Sequence, residues 1–158
     1  MVAGCGVSAV TSSLRACVSA AARSLAIAAR DVPSRHRVTF VPFDSEVRPL
    51  YDLLDLVLLP SRMEGLSQAL LEAMALGKPV AVSAATGNLE VVTDGVDGLL
   101  VSPLDPAAWT EAITRLAADP GGAARLGEAA RITARERFAL ARTVESTARL
   151  YRELIPGR

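Results

Sequence analysis

Short apolar runs alternate with amphipathic helical patterns along most of the chain. Apolar runs that are rich in β-branched residues predict strands, and apolar residues at intervals of three and four predict helices. One predicted strand ends at Val2-Ala3, and the others span residues 38–41, 56–59, 79–83 and 98–101. One short helix is predicted to begin at Ser45-Glu46, and the others span residues 14–28, 66–76, 106–118, 121–137 and 139–154.

This alternation of strand and helix predicts the fold class. Nearly continuous apolar strands, such as Leu56-Val57-Leu58-Leu59, are typical of a parallel sheet that helices cover on both faces. We therefore expect an α/β fold with an open, doubly wound parallel sheet and a helical C-terminal tail. Residues 1–158 are expected to form a single domain, with residues 106–158 as its helical tail.

The most informative segment is residues 61–80, with the sequence SRMEGLSQALLEAMALGKPV. Glu64 and Gly65 are predicted to form a turn before a helix, where N–H groups and the helix dipole favour a phosphate. Glu72 lies six residues beyond Leu66, about 9 Å along the helix axis. Because helical side chains lean toward the N-terminus, the Glu72 carboxylate is expected near the bound anion. Two acids so placed suit a nucleotide diphosphate whose ribose hydroxyls need an acceptor.

A second interpretation of this helix needs no ligand. Gln68 and Glu72 are four residues apart and form one polar stripe on an otherwise apolar helix, which is typical of a solvent-facing surface. Glu64 would then stabilise the helix dipole by about 0.3–1 kcal/mol. Both interpretations stay open on spacing alone.

The order of motifs within residues 60–80 resembles one known family. The pattern P-S-R-x-E-G comes first, and seven residues then separate Glu64 from Glu72, which begins E-A-M-A-x-G-x-P-V. This order resembles the nucleotide-sugar half of a retaining glycosyltransferase of the GT-B type, in the family called group 1 or GT4. The resemblance implies one Rossmann-like half of a GT-B fold, and transfer of a sugar from a nucleotide-diphosphate sugar to an acceptor with retention.

Motifs further along the chain agree with this resemblance. Residues 87–95 resemble the family's G-x-P-E-V-V-x-D-G, and residues 98–106 resemble its G-L-L-V-x-P-x-D-P. The resemblance runs from about residue 38 to residue 151. The chain departs from the family's frequent residues at three nearby positions, Ser67, Thr86 and Leu89.

The resemblance assigns roles to the turn and the helix that follows it. Glu64 would be the catalytic residue and would contact the hydroxyls of the transferred sugar, while Glu72 would accept hydrogen bonds from the ribose hydroxyls. Gly65 lets the backbone approach a ligand closely. The amides of Leu66 and Ser67 can donate to phosphate or sugar oxygens, which stabilises the charge that develops on the departing diphosphate.

Residues that follow two other strands complete the predicted site. Val41, Pro42 and Phe43 could shape a pocket for the base, although a loop that caps the core is nearly as good an interpretation. Thr86 and Gly87 are predicted at the end of a strand, where open α/β sheets bind ligands. No cofactor or metal is expected, because no His, Cys and Asp residues have metal-ligand spacing.

Four other residues were candidates for chemistry on residue type alone. Arg62 and Lys78 flank the motif and either could meet a phosphate, but surface charge is the favoured interpretation. His36 lies between two arginines and has no partner that suggests catalysis. Trp109 lies at helical spacing from Ile113 and is predicted to belong to the core.

Composition narrows the function classes. Apolar residues form 51% of the 158 residues and aromatic residues only 4%, so the core is expected to be aliphatic. The formal net charge of zero argues against a nucleic-acid partner. The segment before residue 38 is basic, which allows peripheral association with an anionic lipid surface, although a solvated helix face is the favoured interpretation. Its arginines are Arg15, Arg23, Arg30, Arg35 and Arg37.

Cysteine usage and hydropathy bear on location. Cys5 and Cys17 are the only cysteines in a chain without an export signal, which is typical of reduced thiols in the cytoplasm. No stretch approaches 18 uninterrupted apolar residues. A cytoplasmic location is therefore expected.

The resemblance also predicts what surrounds this domain. The resembled enzymes have two Rossmann-like domains, and their acceptor-binding domain has no counterpart here, so we expect a chain truncated at its N-terminus that transfers nothing alone. A non-catalytic nucleotide-sugar-binding module that acts with a separate acceptor subunit is the alternative. A domain that kept the fold and lost the ligand is a third hypothesis, which the Glu64 and Glu72 pair opposes. The apolar stripe of residues 139–154 should lack part of its partner and promote self-association.

Overall fold

The computed structural model describes residues 48–63 and 65–155, and the backbone of residues 5–8, 16–19 and 38–41. Six strands form one sheet in the order β3-β1-β2-β4-β5-β6. They are β1 Cys5–Ser8, β2 Ala16–Ser19, β3 Val38–Val41, β4 Leu56–Leu59, β5 Val80–Ser83 and β6 Leu99–Val101.

The sheet is parallel over most of its width. β2 pairs with β4, β4 with β5 and β5 with β6, all in the parallel sense. β1 instead pairs antiparallel with both β2 and β3. The predicted α/β class with a parallel sheet is confirmed, whereas the antiparallel strand β1 was not predicted.

The predicted helix of residues 14–28 is wrong at Ala16–Ser19, because these residues form β2. Their apolar positions do fit a helical period. Hydrogen bonding to β1 on one side and β4 on the other overrides that local pattern. The predicted strand end at Val2-Ala3 lies outside the described residues, and β1 begins at Cys5.

The described helices are α1 Arg48–Asp52, α2 Gln68–Ala75, α3 Thr86–Val91, α4 Pro106–Ala118, α5 Pro120–Arg137 and α6 Leu140–Leu154. The predicted helices of residues 66–76, 106–118, 121–137 and 139–154 are confirmed to within two residues. Helix α3 was not predicted. The predicted helix start at Ser45-Glu46 precedes the described segment that begins at Arg48.

Each face of the sheet carries its own core. Alternate side chains of a strand point to opposite faces, so Val57 and Leu59 of β4 join one cluster and Leu56 and Leu58 join the other. Helices α1, α2 and the second half of α5 cover the first cluster, and α4 with the start of α5 covers the second. Trp109 packs on the second cluster, which confirms its predicted place in the core. Burial of each β4 side chain contributes roughly 1.5–3 kcal/mol.

Two glycines allow α5 to lie directly against the end of α2. Gly77 has a φ of +69°, and its N–H donates to the carbonyl of Met74 while the Lys78 N–H donates to that of Ala73. This Schellman motif confirms the helix end predicted at Gly77. A Cβ on Gly127 of α5 would overlap the Gly77 carbonyl oxygen, so only glycine fits at this contact.

Helix α6 has no buried residue. Its apolar side chains are between 53% and 78% exposed, as the predicted apolar stripe implied: Leu140, Val144, Leu150, Tyr151 and Leu154. Within the described segments, no helix has the length and apolar content needed to cross a membrane.

Candidate functional site

The parallel strands β4 and β5 end side by side, at Leu59 and Ser83. Residues 60–67 lead from β4 into α2, and residues 84–85 lead from β5 into α3. The N-termini of α2 and α3 therefore begin at the same carboxyl edge, where open α/β sheets bind their ligands.

A buried serine ties these two connections together. Ser83 is fully buried, and its Oγ donates to the carbonyl of Leu59 at 2.9 Å and also contacts the carbonyl oxygen of Ser61. The buried side chain of Asn88 donates from Nδ2 to the Ser83 carbonyl at 2.9 Å. These bonds fix the start of the α2 loop relative to α3. Ser83 was not predicted as a site residue, since its only signal in the sequence is a polar residue at the end of an apolar strand.

Helix α5 holds α3 and the turn that follows it. The guanidinium of Arg137 donates to the carbonyls of Glu90 at 2.7 Å and Val91 at 3.4 Å. Asp97, which is buried, accepts a hydrogen bond from the hydroxyl of Thr133 at 2.8 Å. The second helix of the site is thus braced at its C-terminal end as well as through Asn88.

Helix α2 begins with a side-chain cap that leaves its approach open. Ser67 is the N-cap residue, and its Oγ accepts a hydrogen bond from the Leu70 N–H at 3.4 Å. The other first-turn amides have no acceptor inside the helix. Leu66 is 59% exposed, and a Cβ on Gly65 would meet none of the described residues within 4 Å. Within the described ranges, packing does not require glycine at residue 65 and leaves room for an anion at the helix N-terminus.

Glu72 is exposed on α2, and one buried side chain reaches it. The hydroxyl of Tyr51 on α1 lies 3.4 Å from Glu72 Oε2 and 3.1 Å from the Ala69 carbonyl oxygen. Burial raises the pKa of Tyr51 well above its usual range, and the neighbouring charge and hydrogen bond of Glu72 raise it further. The phenol therefore stays neutral and acts as a donor. Tyr51 was not predicted as a site residue, because nothing in the sequence around it indicates Glu72 as its partner.

Most of the predicted binding residues lie in the two segments that begin at this edge. The prediction that Thr86 and Gly87 sit at the end of a strand is wrong in detail, since β5 ends at Ser83 and these residues open α3. Glu64, Pro42 and Phe43 lie outside the described residues. The predicted residues in the two segments are Gly65, Leu66, Ser67, Glu72, Thr86 and Gly87.

Val41 is the last residue of β3. Two antiparallel pairings return β3 to the direction of β2 and β4, so Val41 also lies at the carboxyl edge. β3 is three strand positions from β4, which corresponds to roughly 14 Å. The predicted contact of Val41 with a base stays a prediction.

The basic residues beside the motif have separate positions. Lys78 is half-buried, and its Nζ donates to the carbonyls of Leu54 at 3.0 Å and Asp52 at 3.5 Å. These residues precede β4, at the edge of the sheet opposite the site, so Lys78 is a structural contact and more than a surface charge. Arg62 is exposed. His36 precedes β3 and lies outside the described ranges. Within those ranges, no three His, Cys, Asp or Glu residues gather into a possible metal site.

An open α/β sheet with two helix N-termini at its carboxyl edge defines a class of ligand-binding domain. Comparison with known proteins gives the family: the model described as Glycosyl transferases group 1 matches residues 6–119. Since this match covers most of the chain, the chain belongs to the group 1 glycosyl transferases, and the expected resemblance to GT-B glycosyltransferases is confirmed.

Individual relatives agree with this assignment. The D-inositol 3-phosphate glycosyltransferase of Salinispora tropica is 38% identical over 121 residues, which are 75% of this chain and 25% of that protein. Sucrose-phosphate synthase from Thermosynechococcus elongatus superposes with a TM-score of 0.65 at 34% identity, over 68% of this chain and 27% of the other. Anabaena Alr3699/HepE in complex with UDP-glucose gives a TM-score of 0.68 at 27% identity, over 72% and 31%. The chain thus spans about a quarter to a third of these proteins.

Proposed function

We propose that this chain is the donor-binding domain of a retaining glycosyltransferase that uses a nucleotide-diphosphate sugar. The observation that carries the proposal is the capped N-terminus of α2 at Ser67, with the exposed carboxylate of Glu72 on the same helix. A helix N-terminus suits a diphosphate, and an ionised carboxylate accepts from a ribose diol. The complex of the Anabaena relative with UDP-glucose supports this class of ligand.

Each predicted residue has a place in this proposal. The amides of Leu66 and Ser67 donate to the diphosphate, and Gly65 allows its close approach. Glu64 contacts the transferred sugar as the catalytic residue. Backbone donors in these positions stabilise the negative charge that develops on the leaving diphosphate.

The remaining predicted contacts lie on the neighbouring segments. Thr86 and Gly87 lie at the start of α3, on the side of the site next to β5, and face the phosphate or the sugar. Val41, Pro42 and Phe43 shape the pocket for the base. The Ser83 and Asn88 hydrogen bonds keep the α2 and α3 sides of the site at a fixed separation.

We also propose that the acceptor is bound by another domain or a partner subunit. The Salinispora relative is 38% identical over a segment that is only 25% of its length. The isolated chain should then bind a donor and transfer nothing. A cytoplasmic location, expected from the cysteine usage, belongs to the same proposal.

Labelled donors test donor binding and transfer in one experiment. The purified chain is incubated with radiolabelled UDP- and GDP-hexoses and an extract of sugar and lipid acceptors. We expect label to be retained with the protein and no labelled acceptor product, because the proposed acceptor site lies outside the chain. Strong labelled product would show that the acceptor site lies within the chain. Absence of retained label would contradict donor binding.

A further inference from the structure

Tyr51 occupies an unusual position for a core residue. It is only 8% exposed and belongs to the first core cluster. Its hydroxyl nevertheless reaches the carboxylate of Glu72, an exposed residue 21 positions further along the chain and on another helix. This contact joins the core beneath α2 to the proposed ligand-binding surface above it.

The hydroxyl has one proton and two acceptors within reach. The Ala69 carbonyl oxygen at 3.1 Å is a backbone group of α2, whose carbonyls already accept from the helix's own N–H groups. Glu72 Oε2 at 3.4 Å is a charged acceptor, and charged acceptors form the stronger hydrogen bonds. A phenylalanine would fill the same core volume, so the hydroxyl adds a directed donor rather than packing.

We propose that Tyr51 is a positioning residue for Glu72. Tyr51 holds Oε2, so that Oε1 is turned toward the ribose hydroxyls of a bound nucleoside diphosphate. The inference rests on the proposed function, because it gives Glu72 its ligand. Within the described part of the chain, the hydrogen bond to Glu72 falls on Oε2 alone.

The benefit of such a contact is preorganisation. A glutamate on a helix surface moves among many rotamers, and ordering it on binding lowers affinity. A donor fixed in the core restricts that motion before the ligand arrives. Because burial and the Glu72 charge keep the phenol protonated, Tyr51 remains a donor when the ligand binds.

The chain offers a matched pair of variants, since it has two tyrosines. Tyr51→Phe removes the hydroxyl that contacts Glu72, and Tyr151→Phe removes one from an exposed position on α6. Affinities of the full chain are measured by calorimetry for UDP and GDP and for their 2′,3′-dideoxy analogues. Thermal unfolding of each variant is measured in parallel.

We expect Tyr51→Phe to weaken binding of the ribonucleotide by about three- to tenfold, the factor associated with ordering a released glutamate side chain. Binding of the dideoxy analogue should stay unchanged, and so should both affinities of Tyr151→Phe. In a Glu72→Ala background, Tyr51→Phe should have no further effect. An unchanged ribonucleotide affinity, or an equal loss for both ligands, would overturn the role of Tyr51 while leaving the proposed function intact.

Two further outcomes can be distinguished from these: a wild-type chain that binds no nucleotide, and a Tyr51→Phe variant that does not fold. If the wild-type chain binds neither nucleoside diphosphate, the proposed function fails and the ligand role of Tyr51 fails with it. If Tyr51→Phe does not fold, the wild-type chain labelled with ¹³C at tyrosine Cζ gives the answer. The Tyr51 signal should move on addition of the ribonucleotide and stay in place with the dideoxy analogue, with Tyr151 unmoved by both. A Tyr51 signal that responds in the same way to the ribonucleotide and to the dideoxy analogue would contradict the positioning role of Tyr51.

Discussion

Glu72 shows how a single residue separates the two interpretations of α2. It is exposed, and its only described side-chain partner is the hydroxyl of Tyr51. An exposed acid of this kind has little to do with folding. Its contribution to ligand binding can therefore be measured without a large background from stability.

Glu72→Ala is expected to weaken nucleotide binding by about 1–3 kcal/mol, the range for a hydrogen bond to a charged group. Thermal unfolding should be nearly unchanged. Calorimetric titration measures the affinity, and Glu111→Ala, an exposed glutamate of α4, is the matched control. If both variants bind as the wild type does, Glu72 returns to the interpretation of a solvent-facing stripe.

For single residues, the sequence allowed a role to be predicted only where that role follows from residues nearby in the chain. Glu72 could be selected because its spacing from Glu64 and its family pattern are local. Tyr51 could not, because its partner lies 21 residues away and on another helix. Ser83 could not either, since its acceptors lie at the end of β4 and on the loop after it. The missed contacts are those that only the fold brings together.

Among the helices and strands, the contact between α2 and α5 is set by the absence of a side chain. Gly127 lies where a Cβ would overlap the carbonyl oxygen of Gly77. Gly121, in the first turn of the same helix, would place a Cβ 3.5 Å from its nearest neighbour, an ordinary contact. Substitution by alanine should therefore change stability differently at Gly127 and at Gly121.

Gly127→Ala should destabilise the chain by about 1–3 kcal/mol, because an extra methyl in a filled contact forces the helices apart. Gly121→Ala should be neutral or slightly stabilising, since alanine is favoured over glycine in a helix by up to about 1 kcal/mol. Urea unfolding of both variants measures the difference. Equal midpoints would mean that α5 lies further from Gly77 than the structure places it.

The helices and strands were likewise predicted correctly where local sequence determines them, and missed where contacts between distant segments do. β4, α2 and β5 each carry their own pattern of apolar residues, so their positions were predicted to within two residues. β2 was mistaken for helix because its conformation depends on pairing with β1 and β4. α3 is only six residues long and contains Gly87, which is too short and too irregular for a periodic pattern.

At the level of the whole molecule, α6 has an apolar stripe that the described residues leave uncovered. All of its large apolar side chains are exposed, although they form one stripe. Exposed apolar patches mark interaction sites or promote association. The proposed acceptor domain, a partner subunit or a second copy of the chain would each cover this stripe.

The isolated chain is expected to self-associate or to leave α6 frayed. Sedimentation over a range of concentrations measures association, and hydrogen exchange compares residues 140–154 with the strands around Leu56 and Val80. In a monomeric sample the α6 amides should exchange far faster than those strands, which are buried on both faces. Slow exchange of α6 in a strictly monomeric chain would show that the domain needs no covering partner.

We propose above all that a nucleoside diphosphate binds at the carboxyl edge between α2 and α3. The most direct measurement is an NMR titration of the full chain with UDP and with GDP, followed through the backbone amides. We expect one of the two nucleotides to shift amides clustered within residues 61–72 and 84–90, while the amides of α4 and of the turn at Lys78 are unaffected. Shifts clustered elsewhere, or none at millimolar ligand, would contradict it.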